Sequence, residues 1–507
     1  MKNLKYWLGL AFTSWASHAF AQTEIDALRY SQLQFGGGAR TLGIGGANTA
    51  LGADVGNLSS NPAGLGLFQR SEVSVTPGFG VANTSSALQG GSGSNTDSRN
   101  SLHIGNVSLI FTNRRPDSDN TSDWRAGSFG VGVTRINDFN QNFNYSGTVG
   151  EQQSFFQRLR EPRISNQEID KQYRDNAYVD LDALAYGAYL TNLENNDGVS
   201  TVSRNGPITQ RESTLSSGSQ SQYDFAYGAS YRDKFYLGGG IGIVSTRYDM
   251  TRDFYETTAD LNAYQRDYLQ TRGTGINARI GAIYRATDRV RIGASVQTPT
   301  WFRLTDTYSS QVTGTFTPPR GIEDANGNII ETIAGGNAGT GSQQFSYNLT
   351  TPFRANGGVA VLLGKYGFLT GDVEYVDYSQ PRFRDNATAN GTTAGYDYSG
   401  TNQYISDIYR STVNLRFGAE ARYDIFRFRL GYARYGDPYR ANDFDRTQNY
   451  YTVGLGMRQN SFFLDVAGVY RTANDYYSPY LLDAGDQPVV SIEANRFTTS
   501  LTIGTTF

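Results

Sequence analysis

Between residues 71 and 507 the chain repeats one pattern, segments of about ten residues in which apolar and polar side chains alternate. In VNLRFGAEARY, Val413, Leu415, Phe417, Ala419, Ala421 and Tyr423 fall on one face, and Asn414, Arg416, Gly418, Glu420 and Arg422 on the other. The last segment sets Phe497, Thr499, Leu501, Ile503, Thr505 and Phe507 opposite Arg496, Thr498, Ser500 and Thr502. One apolar face with a period of two fits a barrel strand with one side in lipid and the other in the lumen. The pattern predicts strands near 71–81, 101–111, 124–136, 221–232, 235–248, 273–285, 289–299, 352–363, 367–378, 411–423, 426–436, 449–458, 461–471 and 495–507. That is about fourteen, an even number as closed bacterial barrels have. In SLHIGNVSLIF the apolar phase switches from Leu102 and Ile104 to Val107, Leu109 and Phe111, so a β-bulge is expected near Gly105–Asn106.

The connections separate a membrane barrel from a soluble sandwich. Short turns at Asp233–Lys234, Ala286–Thr287–Asp288, Gly364–Lys365–Tyr366, Asp424–Ile425 and Gln459–Asn460 alternate with longer polar loops, as periplasmic turns alternate with outer loops. The parity puts the C-terminus and the N-terminal segment on the same, periplasmic side. Two outer loops are long, 137–220, where Ile169, Tyr173, Leu181 and Leu184 allow helical pieces, and the Gly/Thr-rich 300–351. A two-residue turn at Asp424–Ile425 pairs Tyr423 with Phe426 and sets Glu420 opposite Arg429, an expected lumen ion pair.

Residues 1–21 read as a signal peptide, with Lys2 and Lys5 before the apolar run YWLGLAFTSWA and the small-residue site Ala19-Phe20-Ala21. Residues 22–70 show neither period and are dense in glycine. Their GGGARTLGIGGANTALGADVGNLSSNPAGLGLF resembles the hatch of the FadL-type outer-membrane transporters of long-chain fatty acids and aromatic hydrocarbons. The shared features are Gly45-Gly46-Ala47, Ala53-Asp54 and Asn61-Pro62-Ala63. Further similarity lies in RIGASVQTPTWFRLTDTY, GDVEYVDYSQPRF and LRFGAEARYDIFRFRLGYARYGDPY, so it spans most of the chain. The resemblance implies a 14-stranded barrel plugged by an N-terminal hatch, in agreement with the strand count. It leaves the ligand open. The domain reading is therefore signal peptide 1–21, hatch 22–70 and barrel 71–507, all-β, in the outer membrane of a Gram-negative bacterium.

Composition removes other classes. There is no Cys among 507 residues, so disulfides, Cys-ligated zinc and thiol catalysis are excluded. Past the N-terminus no apolar run reaches the roughly 18 residues of a spanning helix. Removing Lys2 and Lys5 from 44 basic residues leaves 42 against 47 acidic ones, a formal charge of −5, which does not favour a nucleic-acid partner. The glycine run fails the dinucleotide spacing, since Thr41 and Asn48 stand where the last glycine belongs. His103, the only histidine after position 21, has no motif placing a nucleophile beside it, so no catalytic residue and no enzyme activity are assigned. DANGNIIE has its glycine fourth instead of sixth for a calcium loop. No metal or cofactor is expected.

The reading that remains is passive, gradient-driven passage of hydrophobic compounds through a hatch-gated barrel. Gly45, Gly46, Asn61, Pro62 and Ala63 are the candidate gate, with Asn61 as a latch between backbone groups. Among inward charges, which include Arg291, Asp372, Glu374, Arg427 and Arg429, Arg279, Arg354 and Arg416 are candidate contacts for a ligand carboxylate; structural pairing across strands is the plainer reading. Phe507 is a terminal aromatic of the kind read by the barrel assembly machinery. Expected partners are hydrophobic small molecules, outer-membrane lipid, lipopolysaccharide and that machinery, with the protein a monomer. The alternative function is a scaffold or docking barrel for secretion or surface assembly.

Overall fold

Fourteen strands form the wall, each pairing antiparallel with its neighbours in chain order. They are β1 (Glu72–Leu88), β2 (Asn95–Arg114), β3 (Trp124–Asp138), β4 (Ile208–Tyr231), β5 (Phe235–Thr257), β6 (Leu261–Arg285), β7 (Val290–Gln297, resumed at Trp301–Glu323), β8 (Gln343–Thr350, resumed at Arg354–Leu362), β9 (Gly367–Asp377, resumed at Arg382–Asp385), β10 (Ser411–Tyr423), β11 (Phe426–Tyr435), β12 (Gln448–Gln459), β13 (Phe462–Tyr477) and β14 (Val490–Thr506). β14 pairs back onto β1, from Glu72 opposite Thr506 to Leu88 opposite Val490, so the sheet closes and has no free edge there. This computed structural model describes residues 23–507 apart from 92, 117, 120, 324–328, 387–395 and 484–485. The signal-peptide segment and residues 324–328, the first part of DANGNIIE, lie outside the described residues.

Each strand foreseen from the alternation corresponds to one wall strand, and the phase is as expected. Val413, Phe417 and Phe428 are exposed while Arg416, Glu420 and Arg429 are buried. Aromatic side chains gather at the two ends of the outward apolar band. Phe235 stacks on Tyr284, with ring centroids 4.7 Å apart, and Trp124 meets Tyr231 at the turn end. Trp301, Tyr451 and Tyr470 are exposed toward the opposite end. Such belts mark the two membrane interfaces.

The long outer loops differ from expectation. β4, β5, β6 and the second part of β7 run for 24, 23, 25 and 23 residues, so 208–220, 249–257, 261–272 and most of 300–351 are strand. Only about 9–11 residues are needed to cross the bilayer, and the rest stand above it as a tall sheet. Their outward side chains meet water, so the apolar half of the alternation that identifies a membrane strand is missing there. The β12–β13 turn also lies one residue later, at Asn460–Ser461, because Gln459 pairs with Phe462.

Helices α3 (Phe155–Leu159), α4 (Asn166–Asp175) and α5 (Leu181–Gly187) fill the middle of the 137–220 segment. Ile169, Leu181 and Leu184 are buried with Phe254, Val312, Tyr480 and Leu482. β6 and β13 are seven strands apart in a ring of fourteen. A cluster joining Leu261 of β6 to Tyr480 and Leu482 beyond β13 therefore bridges the outer mouth.

The candidate gate and lumen

Helices α1 (Glu24–Ser31) and α2 (Ala39–Gly43) and two 3-10 turns, Val55–Leu58 and Pro62–Leu67, build the plug. The plug is not all at the periplasmic end. α1 lies in the upper lumen, where Ala27, Leu28 and Tyr30 pack with Ile136, Phe139, Tyr248 and Tyr409, and the Tyr409 hydroxyl donates to the Glu24 carbonyl at 3.1 Å. This corrects the placement of the N-terminal segment on the periplasmic side. Strand parity fixes only where strands begin, and the irregular chain before β1 climbs the barrel.

Small residues let plug and wall approach backbone to backbone. A methyl group added to Gly43 would stand 3.1 Å from the Cα of Gly454, and one added to Gly66 would stand 2.6 Å from the carbonyl oxygen of Ala229. Gly45 and Gly46 have φ of +65° and +75°, which a residue with a side chain rarely adopts, and they reverse the chain beside Tyr432 and Phe35.

Asn61 is fully buried. Its extended backbone, imposed by Pro62, caps the second 3-10 turn. Its Nδ2 donates to the Thr49 carbonyl at 2.7 Å and, at 3.4 Å, to the carbonyl of Ala282 in β6; its Oδ1 accepts from the Ala63 amide at 3.2 Å. One amide thus joins two arms of the plug and the wall. Ala63 is buried, and Pro62 lies against Gly228 and Gly238. Other links are the Thr49 amide to Asp372 at 2.9 Å, Arg291 to the Leu51 carbonyl at 2.6 Å and Thr452 to the Gly43 carbonyl at 3.0 Å.

Arg279, Arg354 and Arg416 line one cavity of about 70 Å³, with Leu33–Gly36 of the plug and Ile136, Gln297 and Glu374. Each is already paired. Arg279 meets Asp224 at 2.8 Å and donates to the Leu58 carbonyl at 3.0 Å. Arg354 and Arg416 share Glu374, at 2.9 and 3.0 Å, and Arg354 also donates to the Ser31 carbonyl. Lower in the lumen Arg429 joins Glu420 at 2.7 Å and Asp465 at 2.6 Å. Arg40 of the plug enters the same network, 3.6 Å from Glu420 and 3.4 Å from Asp54. Burial lowers the pKa of the Arg40 guanidinium, but the Glu420 and Asp54 carboxylates outweigh it and raise the pKa above its ordinary value. Arg427 stays at the rim, half-buried, donating to the carbonyls of Asp424 and Phe426.

The bulge in β2 is present. Thr76 pairs with Asn106 and Pro77 with Ile104, which leaves Gly105 unpaired. The β2–β3 ladder runs from Arg114 opposite Ala126 to Asn106 opposite Thr134 and stops there. Beyond it the chain of β3 turns away, and its continuation, the strand Gln141–Val149, pairs with β4. That continuation packs Tyr145 and Val149 against Leu88 and Ile492. Among the described residues, 95–104 of β2 therefore have no ladder partner on that side; the strand Gln141–Val149 meets them through side chains, Arg99 donating to Asn142 and Asn95 to Asn144, both at 2.9 Å, and Leu102 and Ile104 are 82% and 54% exposed. The apolar cluster of Tyr30, Ile136 and Phe139 lies in the lumen along the departing chain. His103 points inward in this stretch, with its Nδ1 buried and without a hydrogen-bond partner among the described residues.

Sequence reasoning did not single out Arg40, Asp224 or Asp465; it located the irregularity of β2 at Gly105–Asn106 but not where the β2–β3 ladder ends. The carboxylates lie on inward positions of their strands and were recoverable from the alternation; the end of the ladder depends on where β3 goes and was not.

No protein-family model matches the chain, and no curated protein matches it. Among solved structures, it is similar to a FadL homologue of Pseudomonas aeruginosa, with TM-score 0.54 and 12% identity over 94% of this chain and 98% of that one. It is also similar to the toluene transporter TodX of P. putida, with TM-score 0.51 and 11% identity over 93% of this chain and 99% of that one. Likeness at such identity is likeness of fold: the chain has the FadL-type outer-membrane barrel fold, with 14 antiparallel strands and an internal N-terminal plug.

Proposed function

We propose that this barrel passes hydrophobic small molecules across the outer membrane, driven by their own gradient, with the plug as gate and the gap beside β2 as the exit toward lipid. The observation that carries the reading is the ladder that ends at Asn106–Thr134. A closed wall would force a hydrophobic solute through the polar lower lumen, where Glu420, Arg429 and Asp465 are buried and mutually bonded. A gap flanked by Leu102, Ile104 and Ile136 offers it an apolar way out above that layer. The transport of toluene by TodX, which shares the fold, is in line with a small hydrophobic solute. Gly45, Gly46, Asn61, Pro62 and Ala63 would move with the plug, and Arg279, Arg354 and Arg416 are where a ligand carboxylate would compete with Glu374 and Asp224.

A second reading, a docking or scaffold barrel, is favoured by the filled interior. The cavity beside the plug holds about 70 Å³ and is lined largely by polar groups. Uptake by liposomes carrying the protein separates the two. A labelled long-chain fatty acid or aromatic hydrocarbon enters faster than into empty liposomes if the barrel transports; a broad panel of such compounds with no enhancement favours the scaffold.

A further inference from the structure

The arginines that line the lumen cavity, Arg279, Arg354 and Arg416, are paired with carboxylates, yet three of four neighbouring arginines on the outer wall are not. On the outward face of the tall sheet Arg247 of β5 stands directly opposite Arg272 of β6. One register step nearer the membrane, Arg303 of β7 stands opposite Thr274 of β6 on one side and Asn348 of β8 on the other, and Asn348 stands opposite Arg384 of β9. The four arginines occupy two adjacent rows over five neighbouring strands, about 19 Å at the usual strand spacing. Directly below them, on the same face, begin Trp301, Ile276 and Ile243, the outer rim of the apolar band. Like charges directly opposite on a sheet destabilise it, and Asp249 balances only one of them, holding Arg272 through both carboxylate oxygens at 2.7 and 2.8 Å. Arg247, Arg303 and Arg384 are exposed and form no ion pair or side-chain hydrogen bond among the described residues.

We infer that this patch binds the phosphate groups of lipopolysaccharide, the phosphorylated and multiply acylated glycolipid of the outer leaflet. Guanidinium forks match phosphate oxygens two bonds at a time. Hydroxyls of Ser245, Thr274 and Thr305 face the same side between the arginines and suit sugar hydroxyls. The apolar wall below receives acyl chains, so one molecule meets charge, polar groups and an apolar surface in the order the barrel presents them. A soluble anion would have no use for the third of these. The patch lies on the side of the wall formed by β5–β9, away from the gap at β2.

The test is lipid binding by the whole purified barrel, with bound lipid counted by native mass spectrometry in detergent. The variant is Arg247→Gln/Arg303→Gln/Arg384→Gln, checked for folding by its heat-modifiable band. Added lipid A with both phosphates should bind the wild type at least tenfold more tightly than the variant, and removal of the phosphates from the lipid should reduce wild-type binding by a similar factor. Equal binding of wild type and variant, or equal binding of phosphorylated and phosphate-free lipid, overturns the assignment. Cardiolipin, added as an arm of the same experiment, should compete only weakly; displacement of lipid A by equimolar cardiolipin would show a general anionic-lipid surface and also overturns it. If the variant does not fold, Arg303→Gln alone, which leaves the Arg272–Asp249 pair intact, should still lower affinity severalfold, and no change there contradicts the inference.

Discussion

Glu420 and Arg429 face each other across the Asp424–Ile425 turn, register partners on β10 and β11 with a 2.7 Å contact between carboxylate and guanidinium. Arg429 is fully buried and bonds Asp465 as well, so it is the cation between two carboxylates in a layer closed to water. Arg40 touches Glu420 from the plug, and the same layer therefore ties plug to wall.

Replacing Arg429 with Leu should leave Glu420 and Asp465 buried with weaker partners, at a cost of about 3–5 kcal/mol. The folded, heat-modifiable band should melt at lower temperature. Adding Glu420→Gln and Asp465→Asn should restore much of the loss, since the uncompensated charges are then gone. A single variant as stable as the wild type would contradict the assignment.

That ion pair shows what the sequence makes legible. A two-residue turn fixes register, and a period of two fixes the face, so Glu420 opposite Arg429 follows from local information. So do the buried phase of Arg416 and the bulge at Gly105, because each changes a pattern of neighbouring residues. The path of α1 into the upper lumen, the strands 249–257 and 261–272, and the turning of β3 away from β2 do not follow. They are set by what distant parts of the chain leave open. The sequence marks Arg279, Arg354 and Arg416 as inward, while their carboxylate partners come from other strands and only the folded barrel shows that all three line one cavity.

Asn61→Ala removes an amide that serves Thr49, Ala63 and Ala282. Leaving those buried backbone groups without a partner costs about 1–3 kcal/mol, which should loosen the plug and leave the wall intact. Leakage of a small hydrophilic dye through reconstituted protein should rise, and uptake of a hydrophobic compound should fall. Unchanged leakage from a folded variant would remove Asn61 as a latch.

Gly43→Val tests the close approach of plug and wall. The added side chain would overlap Gly454 of β12, where even a methyl group stands 3.1 Å from the Cα. The plug should be displaced, and single-channel recordings should show openings absent from the wild type. Gly150→Val, at a loop position with φ of −75° where an added Cβ meets nothing within 4 Å, gives the comparison for an unspecific effect of bulk.

Phe507 is exposed on the outward face, and its amide donates to the Ser71 carbonyl at 3.0 Å where β14 meets β1. Deleting it should lower the amount of barrel inserted in the outer membrane several-fold without changing transport per inserted molecule. Quantitative blotting of heat-modifiable protein beside uptake measures both. Normal insertion would show that the terminal aromatic is not an assembly signal.

The most direct test of the transport account is deletion of Gly105. Asn106 faces inward and Ile104 outward, so removing the unpaired residue between them lets β2 alternate without interruption and keeps every lipid-facing side chain where it is. A straightened β2 should approach β3 and narrow the gap. In liposomes containing equal amounts of folded protein, the account predicts at least a tenfold fall in the entry of a hydrophobic compound, with dye leakage unchanged. Equal hydrophobic uptake by the wild type and the deletion variant would contradict it.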